Sequence, residues 1–219
     1  MDILIIGGGT RAKVVMDAVA RAGVHRVVGF LHDNARPGEE LLGSPSLGPI
    51  EDLASVAART GVGHGILAID DIGQRMALAQ RVQNVLPGFK GVHVVDPSAI
   101  VSRGVEIGPG AVVLAGVRLE TGVTIGEHAF IGSLASVGAD SNLGTFTSVG
   151  AGARIGEGCH VGSGTAVGMN AALADRVIVG SHCVVAPGAM VLESVPDLHV
   201  AEGAPARCTR TRLVGERYR

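Results

Sequence analysis

The amino-acid sequence predicts a small α/β unit followed by a parallel β-solenoid. In the first 90 residues, short apolar runs alternate with stripes of helical period, which is typical of strands and helices in alternation. The first apolar run ends at three consecutive glycines, Gly7, Gly8 and Gly9. From Val95 to Val191 every sixth residue is aliphatic, and no helical period fits that spacing.

The composition agrees with stacked, regular layers. The 219 residues include 34 glycines, one Tyr and no Trp, so the core must be built from aliphatic and small side chains. With 18 basic and 20 acidic residues, the formal charge is -2, which argues against nucleic acid or an anionic membrane as a partner. No apolar run is long enough to span a membrane and no signal peptide is evident, so we expect a cytoplasmic protein.

The elements of the α/β unit follow in order. Residues 2–6 form a first strand, and the glycine turn leads into a helix with a stripe at Val14, Val15, Ala18 and Val19. A second strand at 27–31 ends at His32 and Asp33. A third strand at 65–69 precedes a helix that ends before Pro87. This alternation predicts a small parallel sheet with a Rossmann-like βαβ arrangement.

The solenoid rests on three agreeing columns. The position after the aliphatic residue is usually glycine, and the fourth position after it is always small: Ala, Val, Ser, Thr or Cys. A narrow solenoid needs a branched side chain on its axis, a small inward neighbour and a glycine that permits a tight turn. The aliphatic column has 17 consecutive members: Val95, Val101, Ile107, Val113, Leu119, Ile125, Ile131, Val137, Leu143, Val149, Ile155, Val161, Val167, Leu173, Val179, Val185 and Val191.

These columns resemble the left-handed parallel β-helix acyltransferases, in which three hexapeptides make one coil. The tail, Val195-Pro196 followed by Gly203 to Arg207, looks like the closing segment of such enzymes. The front, GGGTRAKVV and then FLHDN, is similar to the bacterial subgroup that acetylates nucleotide-linked amino sugars or sialic acids. The resemblance implies a substrate-binding domain at 1–90, an acyl-CoA and catalytic β-helix at 91–195, and a closing segment at 196–219.

The resemblance also implies two binding sites in a homotrimer. Acetyl-CoA or another acyl-CoA would lie between neighbouring solenoids, and the sugar nucleotide would bind the N-terminal domain. A glycine turn at a helix N-terminus offers backbone N–H groups to an anion, which suits phosphates. The nucleotide residues would be Gly7, Gly8, Gly9, Thr10, Arg11, His32 and Asp33. The acyl-CoA residues would be Ser148, Gly150, Gly168, Met169, Ala186 and Pro187.

The sequence departs from this family at its general base. Where the family has its catalytic histidine, this chain has Ala139, and nine residues later a second expected histidine is Ser148. Three interpretations stay open. An amine could attack the thioester unaided, since it is a better nucleophile than a hydroxyl. Alternatively, Asp140, Glu157 or His160 could supply a relocated base, because Glu157 stacks over Ala139 at 18 residues per coil; or catalysis could be lost.

The remaining polar candidates receive structural interpretations. His128 and His182 occupy equivalent turn positions and are expected to be solvated. Cys159 and Cys183 fall in the small inward column, so packing explains them. The widely spaced cysteines predict no disulfide framework, and no metal site is predicted.

The sequence thus predicts a trimeric, acyl-CoA-dependent N-acyltransferase acting on a nucleotide-linked amino sugar, with acetyl-CoA as the expected donor. One alternative is an O-acetyltransferase of a sialic-acid-like sugar, against which Ala139 counts, because hydroxyl attack needs a base more. The other alternative is a non-catalytic trimeric binding or scaffold protein.

Overall fold

The N-terminal part is a four-stranded parallel sheet between helices. The computed structural model describes residues 1–36 and 38–217. The strands of this part are β1 (Asp2–Ile6), β2 (Arg26–Leu31), β3 (Glu40–Leu41), β4 (Ser44–Pro45), β5 (His64–Leu67) and β6 (Lys90–Gly91). The helices are α1 (Thr10–Ala22), α2 (Leu53–Thr60) and α3 (Ile72–Val85), and Ile50–Asp52 forms a 3₁₀ turn. The sheet order is β2-β1-β5-β6, while β3 and β4 form a separate two-stranded hairpin.

The central strand β1 is buried on both faces, which explains its unbroken apolar run. Ile5 shares a core with Val15 of α1 on one face. On the other face Leu4 shares a core with Leu53 of α2 and Leu78 of α3. The parallel sheet is therefore confirmed. The third strand is shorter than predicted, ending at Leu67, and the α2 helix and the β3-β4 hairpin were not predicted.

The second part is a parallel solenoid of two-residue strands. Each predicted aliphatic residue forms the second residue of a strand, and each strand pairs with the strand 18 residues away. The strands are β7 (Val94–Val95), β8 (Ile100–Val101), β9 (Glu106–Ile107), β10 (Val112–Val113), β11 (Arg118–Leu119), β12 (Thr124–Ile125), β13 (Phe130–Ile131), β14 (Ser136–Val137), β15 (Asn142–Leu143), β16 (Ser148–Val149), β17 (Arg154–Ile155), β18 (His160–Val161), β19 (Ala166–Val167), β20 (Ala172–Leu173), β21 (Ile178–Val179), β22 (Val184–Val185) and β23 (Met190–Val191).

Three sheets form the sides of the solenoid. The first, here called the domain-facing sheet, contains β7, β10, β13, β16, β19 and β22. It is extended by an antiparallel pair, β24 (His199–Gly203) and β25 (Ala206–Thr211), with β24 on β22. The second sheet contains β8, β11, β14, β17, β20 and β23, and the third contains β9, β12, β15, β18 and β21. The predicted fold class is confirmed, and this arrangement is consistent with a left-handed β-helix.

The turns between the sheets form three corners of the solenoid. The first corner joins the domain-facing sheet to the second sheet, the second corner joins the second and third sheets, and the third corner returns to the domain-facing sheet. Inside, 16 of the 17 aliphatic column residues form one continuous core, in which Cys159 and Cys183 are buried as predicted, while Val101 near the start of the solenoid is 42% exposed. Outside, Val94, Val112 and Phe130 of the domain-facing sheet share a core with α1. The α/β unit therefore lies on one particular side of the solenoid.

Within the described residues, no helix is both long enough and apolar enough to cross a membrane.

Candidate functional site

The glycine turn lies at the carboxyl end of the parallel sheet, between β1 and α1. Gly7 has a φ of 137°, and a Cβ there would lie 2.5 Å from the carbonyl oxygen of Ala68. Gly9 is the N-cap of α1 and, lacking a side chain, makes no capping hydrogen bond. The first turn of α1 also has no acidic residue. The N–H groups at the positive end of the helix dipole are thus left for an anion.

His32 and Asp33 follow β2 and lie beside this turn. The His32 imidazole occupies the space that a Cβ on Gly8 would fill, so Gly8 permits the close approach. His32 stacks on Phe30 with ring centroids 5.6 Å apart, and its Nε2 lies 3.0 Å from Oε2 of Glu39. The structure therefore brings the predicted nucleotide residues together at one edge of the sheet.

Asp33 is held by α3. Arg81 donates to both carboxylate oxygens of Asp33, at 2.7 and 2.9 Å, and also pairs with Glu51. The hydrogen bonds from Arg81 lower the pKa of Asp33. Arg81 and Glu51 were not identified from the sequence, because their meeting depends on how α3 packs beside the turn that precedes α2.

Two arginines meet the domain-facing sheet next to the glycine turn. The Arg11 guanidinium lies over the ring of Phe130, 3.6 Å from its centroid, and pairs with Asp70. Burial lowers the pKa of Arg11 to about 10. Arg75 of α3 is 3% exposed, and burial, reinforced by the charge of Arg11, lowers its pKa to about 10 as well. Both side chains stay protonated at neutral pH.

Arg75 joins the α/β unit to the solenoid. It donates to the carbonyl oxygens of Ile69 and Asp70, at 2.9 and 3.2 Å, just after β5. It also donates to the carbonyl oxygen of Phe146 at 3.0 Å and to the hydroxyl of Ser148 at 2.8 Å. Sequence reasoning missed Arg75. The available signal was its spacing of three and seven residues from Leu78 and Val82, both buried, which puts an arginine on the apolar stripe of α3.

The predicted acyl-CoA residues lie along the first corner and the adjoining strand. Ser148 faces outward from β16, while Gly150 and Gly168 follow β16 and β19. A Cβ on Gly150 would lie 2.5 Å from the backbone nitrogen of Met169, and one on Gly168 equally close to that of Pro187. Met169 is 50% exposed at this corner, and Ala186 immediately precedes Pro187. These six positions form one continuous strip, although coil stacking alone already demands its glycines.

The residues predicted as a relocated base lie on other sides of the solenoid, at the second corner and on the third sheet. Asp140 and Glu157 are exposed at the second corner, next to Ala139, whose carbonyl oxygen accepts from the N–H of Gly158 at 2.8 Å. His160 is exposed on the third sheet, where it pairs with Asn142. Among the described residues, no hydrogen bond or ion pair joins these three side chains.

The prediction that both turn histidines are solvated is wrong for His128. His128, at the third corner, stacks on Phe146 with centroids 5.0 Å apart, and burial lowers its pKa to about 4. The ring borders a cavity of about 380 Å³ between this corner and α3, which also contributes Met76 and Gln80. The prediction failed because α3 covers this corner. In the part of the chain that the structure describes, no three His, Cys, Asp or Glu side chains form a group that could hold a metal ion.

Comparison with known proteins identifies the family. Residues 2–82 match the PglD N-terminal domain family. No curated protein matches the chain in sequence. Among solved structures, the chain is 32% identical to a His-to-Asn variant of perosamine N-acetyltransferase from Caulobacter crescentus, crystallised in complex with CoA and GDP-perosamine. That match covers 96% of this chain and 97% of the other, with a TM-score of 0.87.

Two further structures agree over almost the whole chain. The acetyltransferase domain of PglB from Neisseria gonorrhoeae, in complex with acetyl coenzyme A, is 25% identical, with a TM-score of 0.86 and coverage of 94% of this chain and 98% of that domain. WeeI from Acinetobacter baumannii, at 22% identity, shares the fold, with a TM-score of 0.83 and coverage of 95% and 100%. The chain therefore belongs to the hexapeptide-repeat acyltransferases.

Proposed function

We propose that this protein is a homotrimeric, CoA-dependent N-acyltransferase that transfers an acetyl group to the amine of a nucleotide-linked amino sugar. The observation that carries the proposal is the junction on the domain-facing sheet. There the glycine turn and the strip of acyl-CoA candidates are joined through Arg11 on Phe130 and Arg75 on Ser148. The likeness to an N-acetyltransferase crystallised with CoA and GDP-perosamine supports the same assignment.

The α/β unit would hold the nucleotide. Its glycine turn and the free end of α1 suit the diphosphate, whose negative charge Arg11 would also attract. The Asp33 carboxylate, kept ionised and fixed by Arg81, would accept hydrogen bonds from the base or the ribose. The amino sugar would then extend from the sheet edge toward the solenoid.

A second copy of the chain would complete the site. Within one chain, Asp140 and Glu157 lie at the second corner, whereas the α/β unit covers the domain-facing sheet. A trimer of parallel solenoids would place the second corner of one copy against the first corner of its neighbour. The acyl-CoA strip and the carboxylates would then face each other, which is the physical motive for the proposed homotrimer.

The missing histidine makes unaided amine attack the preferred route. An amine needs no dedicated base while a useful fraction of it is unprotonated, and its proton can leave after attack. A relocated base stays testable. If Glu157 or His160 served, the paired variants Glu157→Gln and His160→Ala would lower kcat by about 10²-fold to 10⁴-fold. If the amine attacks unaided, kcat changes little in both.

The first experiment measures binding and turnover together. Purified protein is titrated with acetyl-CoA by calorimetry, and thiol release is followed with acetyl-CoA and amino sugars linked to GDP, UDP or dTDP. We expect binding of acetyl-CoA and turnover with at least one amino sugar. A folded trimer that gives no heat with acetyl-CoA would overturn the transferase and favour the scaffold alternative. Turnover only with hydroxyl acceptors would favour the O-acetyltransferase.

A further inference from the structure

Ser148 is the one polar residue among the six outward-facing strand residues of the domain-facing sheet. The six outward positions of the domain-facing sheet are Val94, Val112, Phe130, Ser148, Ala166 and Val184. Five are apolar and share cores with the α/β unit or the end of the chain, as this covered side requires. A single hydroxyl in an apolar row costs desolvation unless it is hydrogen-bonded. Its partner is the guanidinium of Arg75.

Arg75 is a buried cation that forms no ion pair among the described residues, although the charge of Asp71 acts to raise its pKa. Its four hydrogen bonds go to three backbone carbonyls and to Ser148, and among the described residues no carboxylate pairs with it. Its Nε is buried without a partner. Arg11, a second cation, lies close enough to lower its pKa. Because a buried cation without an ion-pair partner is costly, Arg75 is suited to a negative charge that develops beside it, whereas Arg11 is already paired with Asp70.

The O–H of Ser148 is free to donate a hydrogen bond. A hydroxyl has one donor and two acceptor positions, and the Arg75 guanidinium occupies an acceptor position of Oγ. The proton therefore points elsewhere, and no acceptor for it occurs among the described residues. A neighbouring guanidinium polarises the O–H bond and makes it a stronger donor.

We infer that Ser148, oriented by Arg75, donates a hydrogen bond to the thioester oxygen as negative charge develops there. This inference rests on the proposed function. In the step concerned, the lone pair of the sugar amine forms a bond to the thioester carbon, and the carbonyl pair moves onto oxygen. When that pair returns, the carbon–sulfur bond breaks, CoA leaves as the thiolate, and the ammonium proton passes to the thiolate or to water. Ser148 keeps its proton throughout.

The inference assigns different roles to the two residues. Ser148 would touch the reacting oxygen, whereas Arg75 acts through Ser148 and is a positioning residue. Donors aimed at a developing oxyanion act in the transition state more than in the ground state, so their loss lowers kcat and leaves KM nearly unchanged. A residue that only binds the diphosphate would instead raise KM for the sugar nucleotide.

The test compares Ser148→Ala with Ser148→Thr in the full-length protein, using acetyl-CoA and the best acceptor of the panel above. In the alanine variant we expect kcat to fall by about 10²-fold, while the KM values for acetyl-CoA and for the acceptor stay within about threefold of the wild type. The threonine variant should recover most of the lost kcat. Ser136→Ala is the matched control, because Ser136 is the equivalent outward residue of β14 on the second sheet. It should retain wild-type kcat.

Arg75→Gln tests the positioning role. If Arg75 acts through Ser148, this change lowers kcat in the wild-type background but has little further effect on Ser148→Ala. Unchanged kcat in Ser148→Ala, with a lowered Tm, would overturn the inference and make the contact a structural link. A raised KM for the sugar nucleotide with normal kcat would overturn it in favour of diphosphate binding. If the wild type itself has no activity with any acceptor, the proposed function fails, and this inference fails with it.

Discussion

The solenoid and the α/β unit bury their cores in different ways. In the solenoid each aliphatic residue, such as Leu143, contacts its equivalents 18 residues before and after, so every coil contributes the same interactions. In the α/β unit β1 lies between β2 and β5, and its two faces belong to separate clusters. Stability is therefore spread along the solenoid, whereas the candidate site lies where the two parts meet and depends on a few unrepeated side chains such as Arg75.

The largest predicted stability change comes from truncating the solenoid core. Leu143 is 1% exposed at the middle of the aliphatic column, so Leu143→Ala should lower the free energy of unfolding by about 2–5 kcal/mol. Urea denaturation followed by circular dichroism measures this. Leu134, 72% exposed at the first corner, is the control, and Leu134→Ala should stay within about 0.5 kcal/mol of the wild type. Equal losses in the two variants would contradict a core built from one column.

A smaller loss is expected from the glycine column. A Cβ on Gly126 would lie 2.5 Å from the carbonyl carbon of Gly144 and the nitrogen of Thr145, which are backbone atoms of the next coil. Gly126→Ala must push two coils apart and should cost about 1–3 kcal/mol, again by urea denaturation. Gly63→Ala in the α/β unit is the matched control, because a Cβ added to Gly63 would have no atom within 4 Å. A comparable loss in Gly63→Ala would remove the contrast between the two regions.

The smallest predicted loss of stability comes from a substitution where α1 contacts the solenoid. Asp96, which follows β7, accepts from Arg21 of α1 at 2.7 Å and from the hydroxyl of Ser98 at 2.6 Å. Asp96→Asn should lower Tm by about 2–4 °C at pH 7, which calorimetry detects. Asp17→Asn, on the exposed face of α1, should leave Tm unchanged.

The pH dependence of Asp96 has a defined sign. The Arg21 hydrogen bond lowers its pKa in the folded protein from 3.8 to about 2. A lowered folded pKa stabilises the protein above the unfolded value, and that contribution disappears as the pH falls from about 4 to about 2. The Tm difference between wild type and Asp96→Asn should therefore narrow over this range. A difference that is constant with pH would show that the carboxylate charge plays no part in the junction.

The sequence was sufficient for the solenoid because its environment repeats. Every sixth side chain enters the same axis, so one period determines the strands, the sheets and the inward cysteines such as Cys159. The glycine turn was equally readable, since β1 and α1 are adjacent in the chain. Short elements with few apolar residues, such as the β3-β4 hairpin, lack a periodic signal and were missed.

The candidate site could be predicted only in its local parts. His32 and Asp33 follow a strand and could be assigned to the sheet edge from sequence alone. The pairing of Asp33 with Arg81, and the contacts of Arg75 and His128 with the other part of the molecule, depend on where α3 packs. Arg81 lies 48 positions from Asp33, and Ser148 lies 73 positions from Arg75, so no local pattern records these contacts.

The constant coil length gives the molecule a strict tolerance for insertions and deletions. Because the inward residues recur every six positions, the loss of a number of residues that is not a multiple of six would shift inward side chains to the surface, and only the loss of 18 also keeps each strand in its own sheet. Loss of one whole coil between β7 and β16 would keep the stacking, yet it would bring Ala166 opposite Arg75 in place of Ser148. Natural length variation compatible with the inferred chemistry is thus confined to whole coils beyond β16.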